Sequence, residues 1–475
     1  MQADYVIVGA GSAGCVLANR LSEDGARVVL LEAGPRDWHP MIHVPAGVLK
    51  LLYNPRVNWN YNTEPEAGTG NRAVHWPRGR VLGGSSSING MLFVRGNTAD
   101  YDNWAQMGCR GWTYEECLPF FRAIERYAPG DGRFRGSTAR TFLAEARNRS
   151  NLKVETNATA TRLLFDGKRC KGVAFLQNGQ PREVSAAREV IVSGGTINSP
   201  HLLQVSGVGP AAHLKSIGVE IVHDLPGVGG NLSDHYAVRV SQRMRNAVSI
   251  NELSRGLRLA KEVANWLTVG RGALTFGVSS AQIFCRSRDG LASPDIQLLF
   301  SPASYDENKF GTLEKKPGAT IAVSIARPES RGSIMAKSPD PLDRPAIRPN
   351  YLSAPGDMRV SMAGIRHARR IFAQPAFAAH RVEEITPGAD IASEAGLEAF
   401  IRRAGTTIYH PVGTCKMGED PMAVVDSRLR VRGLTGLRVI DASIMPAVTT
   451  GNTNAPTIMI AEKGASMIRE DARAA

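Results

Sequence analysis

The spacing of hydrophobic positions changes several times along the chain, and each change marks a predicted element. An apolar run at residues 5–8 is followed by a glycine-rich turn and by helical spacing from about Cys15 to Glu23. A second apolar run, residues 27–31, ends in Glu32. Short apolar runs of this kind, joined by a helix, are typical of buried parallel strands. The N-terminus is therefore predicted to be a strand–helix–strand unit.

The middle of the chain has a different period. Residues 151–200 alternate apolar and polar positions around turns at Asp166–Gly167 and Asn178–Gly179, which is typical of paired strands. The remaining predicted elements are strands at 190–192, 296–300, 320–325 and 437–440, and helices from about 199, at 356–372, at 394–404 and from about 456. This succession indicates two interleaved domains.

Composition is that of an ordinary globular protein, with 475 residues, 43% hydrophobic and 21% charged. Lys and Arg outnumber Asp and Glu by 57 to 44, but the basic residues are scattered. This distribution favours a solvated surface over nucleic-acid binding, with weak attraction to anionic lipid or an acidic partner as the alternative.

The six cysteines form no CxxC pair and no cluster typical of metal ligands, so we expect reduced thiols and no metal site. The first strand begins by Tyr5, which leaves no room for a signal peptide, and no apolar run is long enough to span a membrane. We expect a cytoplasmic protein, with peripheral association at the inner face of the cell membrane as the alternative.

The strongest local motif is the GxGxxG sequence of residues 9–14, between the first strand and the first helix. Its first glycine permits a tight turn, the second lets the backbone approach a pyrophosphate, and the third allows close packing of helix on strand. Glu32 lies 18 residues beyond Gly14, where a carboxylate accepts hydrogen bonds from ribose hydroxyls. The motif predicts a dinucleotide site and by itself leaves NAD and FAD open.

The segment Trp76–Gly90 favours FAD. It contains RGRVLGGSSSIN, which is too rich in glycine and serine for a packed helix. Such a loop can bring backbone N–H groups against a large planar ring. An ordinary surface loop is the alternative interpretation of this segment alone.

Four motifs together resemble the glucose–methanol–choline (GMC) oxidoreductases: the GxGxxG…Glu start, the serine-rich loop, HPVGTCKMG from His410, and DASIMP…NTNAPTIMIAEK from Asp441. The resemblance covers nearly the whole chain and is greatest to bacterial FAD-dependent alcohol, sorbose and choline dehydrogenases. It implies an α/β fold with an α+β part, in which a Rossmann-like FAD-binding domain is interleaved with a substrate domain built on an antiparallel sheet.

The resemblance also implies domain limits. Residues 1–235 would form the FAD-binding domain, with some substrate-domain elements near 106–149, residues 236–424 the substrate domain, and residues 425–475 a return to the FAD-binding domain. One departure stands out, because family members carry several dozen residues between the equivalents of Gly136 and Ser137, which are adjacent here. Either this is a shortened variant or a segment is omitted, and we favour omission because a deletion would expose part of a core.

By the same resemblance, residues of the turn, the loop, the adenine-edge segment and the C-terminal motif would bind FAD. These positions are Gly9, Gly11, Ser12, Ala13, Gly14, Glu32, Ala33, Arg80, Gly83, Gly84, Ser85, Asn89, Gly90, Ala160, Asp441, Ala442, Asn452, Ala455, Pro456 and Thr457. The final helix would direct its positive end at the flavin and favour negative charge on the reduced ring. The cofactor is expected to be non-covalent, because Ile88 occupies the position at which tethered members carry a His.

Oxidising an alcohol needs a base for the hydroxyl proton and an acceptor for the hydride. By resemblance, His410 occupies the catalytic-histidine position and Asn454 the second position, which is His or Asn across the family. An amide there can hold the alcohol oxygen or the histidine, but it cannot act as a base. Without the resemblance, His410 would be interpreted as a turn histidine with a satisfied ring.

The sequence therefore predicts FAD-dependent oxidation of a primary or secondary alcohol, with electrons passed to a quinone or another acceptor. The alternatives are an O₂-using oxidase of the same family, a non-redox lyase on the same fold, and a silent FAD-binding module. The presence of both His410 and Asn454 counts against the silent module. The sequence indicates neither the particular alcohol nor the oligomeric state.

Overall fold

The computed structural model describes residues 1–125, 132–306 and 311–474. In chain order its strands are β1 (Gln2–Val8), β2 (Val28–Leu31), β3 (Tyr61–Asn62), β4 (His75–Trp76), β5 (Leu152–Glu155), β6 (Ala158–Asp166), β7 (Arg169–Gln177), β8 (Gln180–Val192), β9 (Val208–Gly209), β10 (His223–Asp224), β11 (Tyr236–Met244), β12 (Ala281–Cys285), β13 (Ile296–Ser301), β14 (Gly318–Ile325), β15 (Ser333–Met335), β16 (Ala346–Arg348), β17 (Arg381–Thr386), β18 (Thr406–Thr407) and β19 (Leu437–Val439).

The α-helices, again in chain order, are α1 (Ser12–Ser22), α2 (Pro40–His43), α3 (Val48–Leu51), α4 (Thr98–Gln106), α5 (Tyr114–Glu125), α6 (Ala144–Ala146), α7 (Gly195–Val205), α8 (Ala211–Ser216), α9 (Ile250–Leu253), α10 (Gly256–Thr268), α11 (Pro355–Phe372), α12 (Pro375–Ala378), α13 (Glu394–Ala404) and α14 (Asn454–Ala474). Short 3₁₀ helices cover Pro45–Gly47, Ala67–Thr69, Gly84–Ser87, Ala273–Thr275 and Ala442–Ile444, and a π-helical turn covers Ala139–Leu143.

The first sheet has the strand order β5-β2-β1-β8-β7-β6, and β19 also pairs with β8. The pairs β5–β2, β2–β1, β1–β8 and β8–β19 are parallel, whereas β8, β7 and β6 are antiparallel. Because parallel strands end at one edge, this topology brings together the residues that follow Val8, Leu31, Val192 and Val439. They include the glycine-rich turn and Glu32.

The second sheet, β12-β13-β14-β11-β17 with β18 beside β11, is antiparallel. One face carries Val238, Val240 and Val323, which are buried in a core with α11. The alternate positions, such as Arg239 and Ala322, line a cavity instead. The period of two thus gives this sheet one apolar face for its core and one face for a site.

The structure confirms the predicted fold class, an α/β part combined with an antiparallel substrate sheet. The strands of the second sheet lie between residues 236 and 407, and β19 returns to the first sheet, while the exact domain limits stay a prediction. Part of the stretch 106–149 falls outside the described residues.

Two helices begin earlier than the sequence indicated. Helix α7 begins at Gly195 and not near Ser199, because the carboxylate of the distant Asp441 accepts the N–H of Gly195 and caps the helix. Helix α14 begins at Asn454 and not at Pro456, which lies inside its first turn.

Candidate active site

A cavity of about 670 Å³ lies where the edge of the first sheet faces the second sheet. Its lining includes Gly9 and Glu32 from the first sheet, Arg239 and Ala322 from the second, and His410. The volume is in the range of cofactor and ligand sites. The cavity therefore joins the predicted dinucleotide site to the predicted catalytic histidine.

Most of the predicted site residues line this cavity. They are Gly9, Gly11, Ser12, Ala13, Glu32, Ala33, Arg80, Gly84, Ser85, Asn89, Gly90, Ala160, His410, Asp441, Ala442, Asn452, Asn454 and Thr457. Gly14, Gly83, Ala455 and Pro456 are not part of the lining. These four belong to the glycine-rich turn, the serine-rich loop and the first turn of α14, next in sequence to residues of the lining.

The glycine-rich turn has the geometry that a pyrophosphate needs. A Cβ at Gly14 would lie 1.8 Å from the carbonyl oxygen of Gly9, so the third glycine is required for packing. A Cβ at Gly11 would meet no atom closer than 4.0 Å, so this backbone faces open space in the cavity. The packing glycine and the ligand-facing glycine are thus distinct, as in a dinucleotide fingerprint.

Glu32 is buried at the end of β2. Its Oε2 accepts the N–H of Ala10 at 3.0 Å and its Oε1 accepts the N–H of Gly34 at 2.8 Å. Burial raises the pKa of Glu32 to about 7, and the two backbone donors oppose that rise. Each carboxylate oxygen retains acceptor capacity for a hydroxyl donor. The turn and this carboxylate together fit a nucleotide with its ribose and pyrophosphate.

Asp441 joins the C-terminal motif to α7. Its carboxylate accepts the N–H of Gly195 at 2.8 Å, the hydroxyl of Ser199 at 2.5 Å and the N–H of Ser443 at 2.7 Å. Burial raises the pKa of Asp441, and these donors oppose the rise. The carboxylate thereby fixes the N-terminus of α7 at the cavity wall, where Gly195 and Thr196 lie.

The ring of His410 is held by a second buried histidine. Its Nδ1 lies 2.9 Å from Nδ1 of His235, and Nε2 of His235 lies 3.1 Å from the carbonyl oxygen of Ala326. A carbonyl can only accept, so His235 donates from Nε2 and accepts at Nδ1. His410 must then donate from Nδ1. This chain leaves Nε2 of His410 as a hydrogen-bond acceptor.

Burial keeps both rings neutral. It lowers the pKa of His410 well below its usual value, and the nearby His235 and Arg78 lower it further. Burial likewise lowers the pKa of His235 to about 4. A neutral imidazole with a lone pair at Nε2 is a competent proton acceptor at neutral pH.

The neighbour of that lone pair is Asn452, whose Nδ2 lies 3.0 Å from Nε2 of His410. Oδ1 of Asn452 accepts from Nε2 of Gln297 at 3.2 Å, and the same nitrogen donates to Gln282 at 2.8 Å. Gln297 is fully buried. These bonds fix the amide of Asn452 with its NH₂ group toward His410.

The structure places the hydrogen bond of Asn454 at the glycine-rich turn, and its predicted catalytic role beside His410 stays a prediction. Asn454 is the first residue of α14, and its Oδ1 accepts the hydroxyl of Ser12 at 2.7 Å, in the glycine-rich turn. Because the helix begins there, the side chain of Asn454 is held at the phosphate end of the site. Asn452, predicted only as a cofactor residue, lies in the preceding loop and contacts His410.

Asp234 holds the backbone of the same histidine. Its Oδ1 accepts the N–H of His410 at 2.8 Å, and its Oδ2 accepts the hydroxyls of Thr407, at 2.6 Å, and Tyr351. Burial raises the pKa of Asp234 to about 6, opposed by these hydrogen bonds and by Arg78. Asp234, His235 and Gln297 were missed as site residues. The first two lie in GVGGNLSDH, at the end of the predicted N-terminal FAD-binding domain, residues 1–235.

Comparison with known proteins identifies the family. Two GMC oxidoreductase models match the chain, the N-terminal one over residues 3–133 and 128–237 and the C-terminal one over residues 328–461. The chain belongs to the GMC oxidoreductase family. This membership confirms the predicted family and, with the fit of the turn and Glu32, the FAD cofactor.

Relatives match over nearly the full length. The chain is 40% identical to human mitochondrial choline dehydrogenase, over 98% of this chain and 89% of that protein. It is also 40% identical to an alcohol dehydrogenase [acceptor] of Pseudomonas putida, over 98% and 95%. An oxygen-dependent choline dehydrogenase of Serratia proteamaculans is 41% identical, over 99% and 96%.

Solved structures agree with this fold. A pyridoxine 4-oxidase from Mesorbium loti superposes with a TM-score of 0.88 at 30% identity, over 98% of this chain and 99% of that one. A formate oxidase gives a TM-score of 0.92 at 24% identity, over 99% of both chains, and supports the fold alone.

The comparisons also bear on the departure at Gly136. The alignment with the human relative has 536 positions for 98% of a 475-residue chain, which leaves about 70 positions without a residue here. The two matches to the N-terminal model meet at residues 128–133, close to Gly136. The chain is therefore shorter than its relatives, and the break in the match adjoins the predicted departure. Whether a segment is omitted stays a prediction.

Proposed function

We propose that this protein oxidises a primary or secondary alcohol to the aldehyde or ketone, with His410 as the base and Asn452 as the group that holds the alcohol oxygen. We base these roles on one observation: the imidazole of His410 is buried and neutral, and its Nε2 accepts a hydrogen bond from an oriented amide at 3.0 Å. The relatives, named as choline dehydrogenases and an alcohol dehydrogenase [acceptor], confirm the predicted enzyme class, an FAD-dependent alcohol dehydrogenase.

The alcohol hydroxyl first replaces the amide of Asn452 as the donor to Nε2 of His410. Nε2 then takes the hydroxyl proton, while Nδ1–H keeps its bond to His235. The NH₂ group of Asn452 donates to the oxygen that becomes negative. FAD, when bound, supplies the acceptor for the hydride.

Two neighbours of His410 orient it for this proton transfer. His235 is an acceptor toward Nδ1 and is kept neutral by burial, so the imidazolium that forms at His410 does not face a second cation there. Asp234 accepts the backbone N–H of His410 and brings a carboxyl group near the new charge. His235 and Asp234 therefore keep their hydrogen bonds to His410 during the step, and only Asn452 gives up its bond to Nε2.

We assign Asn454 a cofactor role and not a catalytic one. Its bond to Ser12 fastens the N-terminus of α14 to the turn that receives the pyrophosphate. The N-terminal ends of α7 and α14 both reach the cavity, at Gly195 and Asn454. Helix N-termini favour negative charge on a bound group, so this placement suits an anionic cofactor.

We propose a quinone or another non-O₂ compound as the electron acceptor, with peripheral contact at the inner face of the membrane. The alcohol dehydrogenase [acceptor] among the relatives supports this choice. O₂ is the second candidate, because several relatives are named oxygen-dependent choline dehydrogenases.

A panel of alcohols tests the proposal. Under anaerobic conditions a substrate alcohol should bleach the yellow holoenzyme and yield a carbonyl product. A lyase would convert its substrate without bleaching, and a silent module would do neither. Dye reduction should then exceed peroxide production in air; equal rates would identify an oxidase.

A further inference from the structure

Helix α10 lies on the surface with none of its residues fully buried. Leu257, Val263 and Leu267 are 91%, 38% and 57% exposed, and Val269, just beyond the helix, is 64% exposed. These four side chains are here called the α10 face. An amphipathic helix of a globular protein ordinarily turns its apolar stripe to the core, so a stripe left in water points to a binding surface.

Trp266 ties this helix to the protein near its C-terminal end. The ring of Trp266 contacts Phe134 edge-on at 5.5 Å between centroids, and its Nε1 donates to the carbonyl oxygen of Arg133 at 2.9 Å. Phe134 lies two residues before Gly136, where relatives carry additional residues. The shortening of this chain therefore adjoins the α10 face.

The charges around the α10 face are mostly positive. Residues 245–272 contain five basic and two acidic side chains. Both acidic ones are engaged locally: Glu252 pairs with Arg258 at 2.8 Å, and Glu262 accepts the N–H of Ala273 at 2.7 Å. An exposed apolar stripe flanked by Lys and Arg matches the interface of an anionic bilayer. Two copies of the face brought together would instead oppose like charges.

The α10 face is also connected to the active-site cavity. The chain that leaves the helix reaches Val278 and Ser279, which line the cavity, within eleven residues of Thr268. A Cβ on Gly90, in the serine-rich loop, would lie 2.4 Å from the side chain of Val278, so this segment packs closely on the predicted flavin loop. A surface held at the bilayer by α10 would therefore keep the cavity wall close to the membrane.

We propose that the α10 face inserts into the headgroup region of an anionic lipid bilayer. The binding of the α10 face to the bilayer is independent of the proposed function. Only the purpose of that binding, access to an electron acceptor in the membrane, rests on the proposed function. The helix would lie in the plane of the interface. Among the described residues, no helix is long and apolar enough to cross a bilayer.

Flotation of the full-length holoenzyme with vesicles tests this surface. Vesicles of phosphatidylglycerol and phosphatidylcholine in roughly equal amounts should bind the protein, and vesicles of phosphatidylcholine alone should bind it less, because each basic side chain near an anionic surface contributes about fivefold. The double variant Leu257→Gln/Leu267→Gln should bind more than about tenfold less tightly. Val382→Gln, at a 52% exposed position of β17, is the matched control and should bind normally.

The inference is overturned if the wild type ignores the anionic vesicles, or if the double variant binds them as well as the control does. Sedimentation should show the same mass for wild type and double variant; a dimer lost only in the variant would make a second copy the occupant and overturn the bilayer. Alcohol-dependent dye reduction without vesicles should be unchanged in the double variant. If the protein binds the vesicles but oxidises no alcohol, the proposed function is refuted and the membrane-binding role of the α10 face is retained.

Discussion

Replacing each of the two C-terminal asparagines separately is the sharpest test of the site. Asn452→Ala should slow anaerobic flavin reduction about 10²–10³-fold at saturating alcohol, because one donor to a developing oxyanion contributes about 3–4 kcal/mol to the barrier. In the resting enzyme the same amide makes a neutral hydrogen bond to His410 at 3.0 Å, worth only about 0.5–1.5 kcal/mol. The stability of the fold should therefore change little.

Asn454→Ala is the matched control, two residues away and of the same chemistry. It removes the 2.7 Å bond to Ser12, so FAD should bind less tightly, by about fivefold for a loss near 1 kcal/mol. At saturating FAD its reduction rate should stay within about threefold of the wild type, because Asn454 is hydrogen-bonded to Ser12, whereas Asn452 is the amide at Nε2 of His410.

Stopped-flow absorbance of the flavin after mixing with alcohol gives the rate, and titration of the apoprotein gives the affinity for FAD. If Asn454→Ala slows reduction strongly while Asn452→Ala does not, the catalytic partner is the residue that the sequence indicated. The hydrogen-bonded chain from Ala326 to Gln282 would then have no role in the chemistry.

Four further predictions follow from the same contacts. His410→Ala should retain FAD and reduce it about 10²–10⁴-fold more slowly in stopped flow, and near-normal reduction would exclude it as the base. His235→Leu leaves Nδ1–H of His410 without an acceptor and should slow reduction about 5–100-fold, from about 1–3 kcal/mol, whereas His235→Gln should recover most of the rate. Burial lowers the pKa of His235 to about 4, so as the pH falls from about 6.5 to 4 only the unfolded chain binds a proton at this residue. In urea titrations across this pH range, the free energy of unfolding of the wild type should fall by about 3 kcal/mol more than that of His235→Gln. An equal fall in both proteins would contradict this reasoning. FAD should remain in the supernatant after acid precipitation, because Ile88 has no nucleophile, and yellow colour in the pellet would show a covalent link.

The cofactor half of the site was predictable from sequence, because it depends on local geometry. Gly14 must be glycine because a Cβ there would collide with the backbone of Gly9, and Glu32 follows directly after a strand. Both features can be recognised from a few adjacent residues. The strand periods predicted individual strands, and the family resemblance of the motifs implied the α/β class and the antiparallel substrate sheet. The position of His410 came from its motif.

The hydrogen-bond partners of His410 were not predictable, because they depend on contacts between distant segments. His410 meets His235 across 175 positions and Asn452 across 42, while Gln297 orients Asn452 from a strand of the other sheet. The two asparagines of NTN cannot be distinguished from sequence alone. Because α14 begins at Asn454, that side chain is hydrogen-bonded to Ser12 in the glycine-rich turn, whereas Asn452, in the preceding loop, is hydrogen-bonded to His410. Sequence determined which groups are present; tertiary packing determined the tautomer of His410, its neutral state and its partner, since all three follow from burial and from hydrogen bonds that close only in the folded chain.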